Sequence, residues 1–275
     1  LQKNKRSVRV TRALRRPHAS FPKLNFRKFL LSTFKINIMP DIHIVDRYFK
    51  AVEKLGVKND FQGLDFFISE KNNYPITELP QEFQNGYYAF VIGGTYKTKI
   101  LPPVKIVEVL KRINKPVILL GGPDDVERAE EILSAVNRQQ STDNSLQKNS
   151  NSQVQKDSQI FRFSDFQILN LVGKINLEQS ASIVKNADSV LTNDTGLMHV
   201  AAAFHKNIVS VWGNTVPELG MYPYLPKEPE KCHIVECKDV KCRPCSKLGF
   251  KECPKKHFKC MMNIDVDNVV LGLKA

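Results

Sequence analysis

The stretch from Val190 to Phe204 constrains the fold of this chain more than any other part of the sequence. It reads as a short apolar strand, a polar Asn-Asp-Thr-Gly corner at 193–196 and a helix of small residues, and a second apolar strand follows at 208–212. Unpaired N–H groups and the helix dipole make the start of such a helix positive, so the corner suits a phosphate or diphosphate. An ordinary strand–helix–strand crossover explains the same geometry equally well.

Strands and helices also alternate upstream of this corner. Apolar runs predict strands at 88–92, 116–120 and 189–192, and the helical spacing of apolar residues predicts helices at 103–113, 124–136 and 180–187. This order predicts an α/β fold, a Rossmann-like parallel sheet with helices on both faces. Binding sites of such sheets lie at the carboxyl ends of the strands, here 93–94, 121–122, 193–194 and 213–214.

The remainder of the chain is less regular. Residues 43–55 have the apolar spacing of a helix that Gly56 closes, and residues 64–68 resemble a short strand. Residues 137–159 are rich in Gln, Asn and Ser, which predicts a disordered insertion. We expect two parts: residues 1–84, and a sheet domain at 85–275 that contains this insertion and a cysteine-rich segment at 232–260.

Three motifs in a fixed order resemble a known family. They are Asp-Thr-Gly-Leu-Met-His-Val-Ala-Ala-Ala-Phe at 194–204, Val-Ser-Val-Trp-Gly-Asn-Thr-Val-Pro-Glu at 209–218, and Tyr-Pro-Tyr at 222–224. This pattern closely resembles the signature of the heptosyltransferase-like glycosyltransferases of family 9. The resemblance implies the GT-B architecture, two Rossmann-like domains facing across a cleft, with 85–275 as the nucleotide-sugar domain and 1–84 as part of the N-terminal, acceptor-side domain. It also implies an inverting transfer of a sugar, commonly heptose from ADP-heptose, to a lipopolysaccharide core or related glycolipid.

The same resemblance implies a set of donor-binding residues in the nucleotide-sugar domain. Lysine and hydroxyl side chains would bind phosphate, carboxylates would bind ribose and sugar hydroxyls, helix N–H groups would bind the diphosphate, and residues 173–176 would border the base. The set is Thr95, Lys99, Asp125, Ile175, Asp194, Thr195, Gly196, Leu197 and His199. The family has Trp where this chain has Leu101.

Several of these assignments have alternatives. Lys97 competes with Lys99 as the cation, and Asp124 competes with Asp125 as the ribose ligand. Asp125 is equally well explained as a helix cap, and His199 as a core histidine.

The catalytic residue is unknown. In the family the general base is an Asp in a Gly-Asp loop, and no Gly-Asp pair occurs in this sequence. We therefore expect the complete enzyme to be longer and this piece to lack activity, and a catalytically inactive donor-binding homologue stays an alternative. Catalysis needs no metal where helix N-termini and lysine stabilise the leaving diphosphate.

Charge is concentrated at the start of the chain. Residues 1–35 hold eleven Lys and Arg and no Asp or Glu, against a net charge of +13 for the whole sequence. Such a basic arm predicts contact with an anionic membrane surface or a phosphorylated glycolipid, with a solvated arm as the alternative. Nucleic acid is not expected, because aromatic residues are few and no nucleic-acid motif occurs. With no signal peptide and no apolar run of membrane-spanning length, we expect a cytoplasmic protein, peripheral on the inner face of the inner membrane.

All the cysteines of the chain lie between Cys232 and Cys260. Five residues have metal-ligand spacing, and four of them would complete a tetrahedral structural zinc site: Cys242, Cys245, Cys253, His257 and Cys260. Reduced thiols or local disulfides are the alternatives. A polyanion-binding protein made of a basic arm and a zinc knuckle is therefore a further functional hypothesis.

Overall fold

A seven-stranded sheet organises the protein. The computed structural model describes residues 4–15, 18–143, 160–163 and 166–275. The strands in this part of the chain are β1 (Tyr88–Val91), β2 (Val117–Leu120), β3 (Ile160–Phe163), β4 (Phe166–Asn170), β5 (Ser189–Asn193), β6 (Asn207–Trp212) and β7 (Cys232–Glu236). Their spatial order is β3-β4-β2-β1-β5-β6-β7. Only β3 and β4 pair antiparallel; every other neighbouring pair is parallel.

Helices cover both faces of the sheet. The α-helices among the described residues are α1 (Lys5–Leu14), α2 (Asn25–Phe29), α3 (Ile44–Phe49), α4 (Gln81–Gln84), α5 (Pro103–Leu110), α6 (Val126–Asp143), α7 (Leu177–Asn186), α8 (Gly196–Ala203), α9 (Lys259–Met262) and α10 (Val266–Lys274). Phe90 of β1 points into a core shared with α5, α6 and α10. Its neighbours Ala89 and Val91 point into a second core beneath α7 and α8. This alternation follows from the two-residue period of a strand.

The predicted α/β fold with a parallel sheet is confirmed, and the structure differs from the sequence prediction in detail. The predicted strand at 64–68 is wrong, since these residues have no regular structure, and the helix begun at Ile44 ends at Phe49, with a separate 3₁₀ turn at Glu53–Leu55. Helix α6 continues through Asp143 into the stretch predicted to be a disordered insertion; residues 144–159 of that stretch lie outside the described residues. Strands β3, β4 and β7 were not predicted.

The buried side chain of His43 connects the segment before the sheet to the stretch between β6 and β7. His43 caps α3: its Nδ1 accepts from the Val45 N–H, while its Nε2–H donates to the Tyr222 carbonyl at 2.8 Å. The ring stacks on Tyr224 with centroids 4.6 Å apart. Burial lowers the pKa of His43 to about 4, so the neutral ring is the form that packs here. The start of the helix predicted at 43–55 therefore contacts the Tyr-Pro-Tyr motif at 222–224.

No helix within the described residues is long and apolar enough to cross a membrane.

Candidate nucleotide-binding cleft

A cleft of about 580 Å³ opens at the carboxyl ends of β1, β2 and β5. Three of the four predicted strand ends line it, namely 93–94, 121–122 and the corner at 194–197. The fourth, at 213–214, is not part of the lining: Gly213 packs beneath Met261 and the Thr98 carbonyl. Eight of the nine predicted donor-binding residues line the cleft: Thr95, Lys99, Asp125, Ile175, Asp194, Thr195, Gly196 and Leu197.

An ion pair lies at the base of this cleft. Lys99 Nζ is 2.6 Å from Asp194 Oδ2, and the two side chains are only 15% and 9% exposed. The Thr215 hydroxyl donates to the same carboxylate oxygen at 2.9 Å. A cation held in such a shielded place acts more strongly on a nearby anion than it would in water.

Buried polar contacts fix the loop that carries Lys99. Thr98 is buried, and its hydroxyl accepts from the Phe250 N–H at 2.8 Å. The Asn193 side chain accepts from the Leu101 N–H at 2.9 Å and donates to the carbonyls of Val91 and Gly93. These contacts place Lys99 in the cleft, whereas the competing Lys97 is exposed and not part of the lining.

The first turn of α8 faces the same cleft. Thr195 precedes the helix in an extended conformation (φ −140°), and the following residues Gly196 and Leu197 begin it. N–H groups in the first turn of a helix have no partner within the helix, and the dipole is positive there. The Thr195 Oγ1 atom is also buried without a hydrogen-bond partner. The corner thus offers several donors close to the Lys99 ammonium.

Of Asp124 and Asp125, the two candidate ribose ligands, Asp125 is buried. Its Oδ2 accepts from the Gly122 N–H at 2.9 Å, and its Oδ1 pairs with the Arg128 guanidinium. Asp124 is exposed and does not line the cleft. A Cβ atom at Gly93 would collide with the Asp125 carboxylate, so glycine there lets the carboxylate lie against the end of β1. Asp125 therefore acts as a cap and also reaches the cleft.

Part of the rim of the cleft is apolar. Ile175, Leu177 and Leu197 come from the start of α7 and of α8, and Leu248 comes from residues 237–258, which we call the cysteine loop. Leu177 and Leu248 are both more than half exposed. Exposed apolar side chains at the mouth of a polar cleft suit the face of a flat heterocycle.

Sequence reasoning missed several residues of the cleft. Tyr96, Leu177, Ser180 and Leu248 line it without having been predicted, whereas Asn176 belongs to the predicted stretch 173–176. Leu177 adjoins that stretch, so local spacing could have included it. Leu248 had no such signal, because only the folded chain brings the cysteine loop to this cleft.

His199 is the one predicted donor-binding residue that is not part of the lining. It lies one turn into α8, half-buried. Burial lowers its pKa; the carboxylate of Asp194 opposes this effect and the Lys99 ammonium adds to it. The ring is therefore close enough to the ion pair to be affected by both charges.

Arg243 makes several of the contacts that hold the cysteine loop against the sheet. Arg243, with a side chain only 5% exposed, donates to the carbonyls of Trp212, Gly213, Thr215 and Cys237 and pairs with the Glu236 carboxylate at 2.8 Å. All six cysteines are free thiols.

Residues 1–251 match the family model described as Glycosyltransferase family 9 (heptosyltransferase). The chain is 37% identical over 67 residues to lipooligosaccharide heptosyltransferase 2 of Haemophilus influenzae, covering 24% of this chain and 18% of that protein. It is 24% identical over 187 residues to lipopolysaccharide heptosyltransferase 2 of Escherichia coli K12, covering 64% and 47%.

The solved structure of the E. coli ADP-heptose LPS heptosyltransferase II is similar with a TM-score of 0.58 at 20% identity, covering 85% of this chain and 61% of that one. At this identity the likeness concerns the fold. The chain spans less than half the length of these two curated relatives and under two thirds of the solved chain.

Proposed function

Because this chain belongs to glycosyltransferase family 9, the heptosyltransferases, we propose that its cleft binds a nucleoside-diphosphate sugar for transfer to a glycolipid acceptor. The donor is a nucleotide-heptose such as ADP-heptose, and the acceptor is a lipopolysaccharide core or a related glycolipid. In the whole protein a second Rossmann-like domain faces this cleft from the acceptor side. The residues before the sheet, fastened at His43, belong to that side.

The observation that carries this proposal is the convergence of Lys99 and the start of α8 in one cleft. When the bond between the sugar's anomeric carbon and the diphosphate oxygen breaks, negative charge grows on the leaving diphosphate. The Lys99 ammonium and the N–H groups of Gly196 and Leu197 are fixed in advance to stabilise that charge. The acceptor oxygen forms the new bond from the opposite face of the sugar, which inverts the anomeric centre. Its proton passes to a base that we assign to no residue of this chain.

The residues that line the cleft support one orientation of the bound nucleotide. The diphosphate lies at Lys99 and the corner 194–197, and the base lies against Ile175 and Leu177 at the apolar rim. The ribose then lies between them, beside Asp125. Both Asp125 oxygens already have protein partners in this structure, so the ribose hydroxyls share this carboxylate with Gly122 and Arg128.

Titration calorimetry with ADP, UDP and GDP tests the binding step. We expect saturable heat with ADP at ligand concentrations up to about 1 mM, and weaker binding of UDP, since a pyrimidine covers less of the apolar rim. Absence of heat with all three nucleotides would overturn the proposal. Binding of ADP without sugar transfer from a nucleotide-heptose would instead indicate a donor-binding homologue.

The basic arm supports contact with an anionic membrane surface. Helix α1 presents Lys5, Arg6, Arg9 and Arg12 to solvent, and Val10 and Leu14 are more than half exposed. In the next segment Phe26, Phe29 and Phe34 are also more than half exposed. Exposed cations beside exposed apolar side chains are typical of surfaces that attach to anionic lipid, each cation contributing about 1 kcal/mol.

Sedimentation with vesicles tests this attachment. We expect binding to phosphatidylglycerol-containing vesicles at low salt, little binding to neutral phosphatidylcholine vesicles, and release at high salt. Replacing Lys5, Arg6, Arg9 and Arg12 by Gln should abolish most of the binding to the anionic vesicles. The matched control replaces four exposed lysines elsewhere, Lys111, Lys251, Lys255 and Lys256. Equal binding to both vesicle types would contradict the proposal, and so would an equal loss of vesicle binding in the control variant. Tighter binding to RNA than to vesicles would favour a polyanion-binding protein.

A further inference from the structure

The strand ends that line the cleft follow the order of the parts of a nucleotide sugar. Ile175 follows β4, Asp125 follows β2, and Lys99 and the corner 194–197 follow β1 and β5. In the sheet these strands lie side by side in the order β4-β2-β1-β5, and β6 comes next. If the cleft binds its donor as proposed, the base, the ribose and the diphosphate lie along this row. The sugar, which is bonded to the second phosphate, then extends toward the end of β6.

The cysteine loop meets the cleft at the end of β6. The Cys245 N–H donates to the carbonyl of Asn214, two residues beyond the strand, at 3.0 Å. The Asn214 N–H donates to the Thr98 carbonyl at 3.3 Å, and the Thr98 N–H donates to the Phe250 carbonyl at 3.2 Å. Backbone bonds at both ends of residues 245–250 thus hold this stretch against the end of β6 and the residues that follow β1.

Leu248 lies within this stretch and lines the cleft. Its N–H and that of Gly249 both donate to the Ser246 hydroxyl at 2.9 Å. Gly249 has a φ of +131°, and a Cβ atom there would collide with Tyr96, another residue of the cleft lining. The Leu248 side chain is nevertheless 55% exposed. Its backbone is therefore fixed, while its apolar surface is open to a ligand.

Leu248 and the proposed base site lie at opposite ends of the row of strands. Leu177 begins α7, which follows β4, whereas residues 245–250 are bonded to the end of β6 and to Thr98. Four strand spacings separate β4 from β6, about 19 Å. A purine ring is too small to contact both ends, so Leu248 is left for the end of the donor that carries the sugar.

We propose that Leu248 and Tyr96 form one wall of a sugar subsite and contact the carbon skeleton of the transferred sugar. The inference rests on the proposed function of the cleft. A pyranose ring carries C–H groups as well as hydroxyls, and the burial of these C–H groups against leucine and an aromatic ring is favourable. A free nucleoside diphosphate ends before this wall. The wall therefore adds to the affinity for a nucleotide sugar and not to the affinity for the nucleotide alone.

Calorimetric titration of the full chain with ADP and with ADP-heptose tests the subsite. Leu248→Ser should raise the Kd for ADP-heptose roughly 3- to 10-fold and leave the Kd for ADP within about twofold. The matched variant is Leu177→Ser, because Leu177 also lines the cleft and is 59% exposed but lies at the proposed base. It should weaken the binding of both ligands by the same factor. Leu271→Ser, at a 66% exposed position of α10 outside the cleft, should change neither Kd.

The two ligands separate the sugar subsite from the function of the cleft. Equal weakening of both by Leu248→Ser would overturn the subsite, because Leu248 would then contact the nucleotide, and unchanged affinity for both would overturn it as well. Absence of binding of either ligand to the wild-type protein would overturn the proposed function, and the subsite with it. Circular dichroism should show all three variants folded like the wild type, since each replaced side chain is more than half exposed.

Discussion

Replacing Lys99 by alanine is expected to weaken ADP binding by about 1–3 kcal/mol, or roughly 5- to 150-fold in Kd. Lys99 supplies the shielded ammonium at the base of the cleft, and a charge-assisted bond to a phosphate is among the stronger polar contacts. Its removal also leaves the Asp194 carboxylate without its cation, 9% exposed and facing the proposed diphosphate. Repulsion between these anions adds to the loss. Calorimetric titration of ADP into the variant and the wild type measures it.

Lys97→Ala is the matched control for this experiment. Lys97 lies two residues earlier in the same loop, carries the same charge, and is exposed outside the cleft. We expect its Kd for ADP to stay within about twofold of the wild type, because solvent screens an exposed charge. If Lys97→Ala loses more affinity for ADP than Lys99→Ala does, the phosphate contact belongs to Lys97.

Replacing Arg243 by methionine is expected to lower the free energy of unfolding by about 3–5 kcal/mol. Methionine keeps most of the length of the side chain but removes every donor. The Glu236 carboxylate, with a side chain 10% exposed, would lose the buried cation that compensates it. The carbonyls at the end of β6 and at Thr215 would lose their donors as well. Urea unfolding, extrapolated linearly to water, measures the change.

An exposed ion pair provides the comparison. Arg112 Nε lies 3.2 Å from Asp267 Oδ1, but the two side chains are 44% and 82% exposed. Arg112→Met should cost less than about 1 kcal/mol, since such pairs contribute little in water. If the two variants lose the same stability, the hydrogen bonds of Arg243 do not hold the cysteine loop to the sheet in the way described.

Local sequence signals were sufficient for four of the five interior strands of the sheet, all except β4. Strands β1 and β2 are continuous apolar runs, and β5 and β6 are largely apolar, because parallel strands covered on both faces are buried along almost their whole length. The edge strands β3 and β7 have partly exposed residues and no comparable run, so they went unpredicted. The segment 64–68 shows the converse error: apolar residues in a row formed no strand, since no neighbouring strand pairs with them there.

The sequence by itself also determined the chemistry of the cleft. Glycine-rich strand ends and the Asn-Asp-Thr-Gly corner specify where backbone donors and carboxylates occur, because these depend on residue type and on the local turn. The tertiary structure alone decided between neighbouring residues of equal chemistry: it buries Asp125 and largely shields Lys99, whereas Lys97 and Asp124 are exposed. It also brought Leu248 to the rim of the cleft. Burial and hydrogen-bond partners of this kind come from residues distant in the chain, and they exist only once the sheet has assembled.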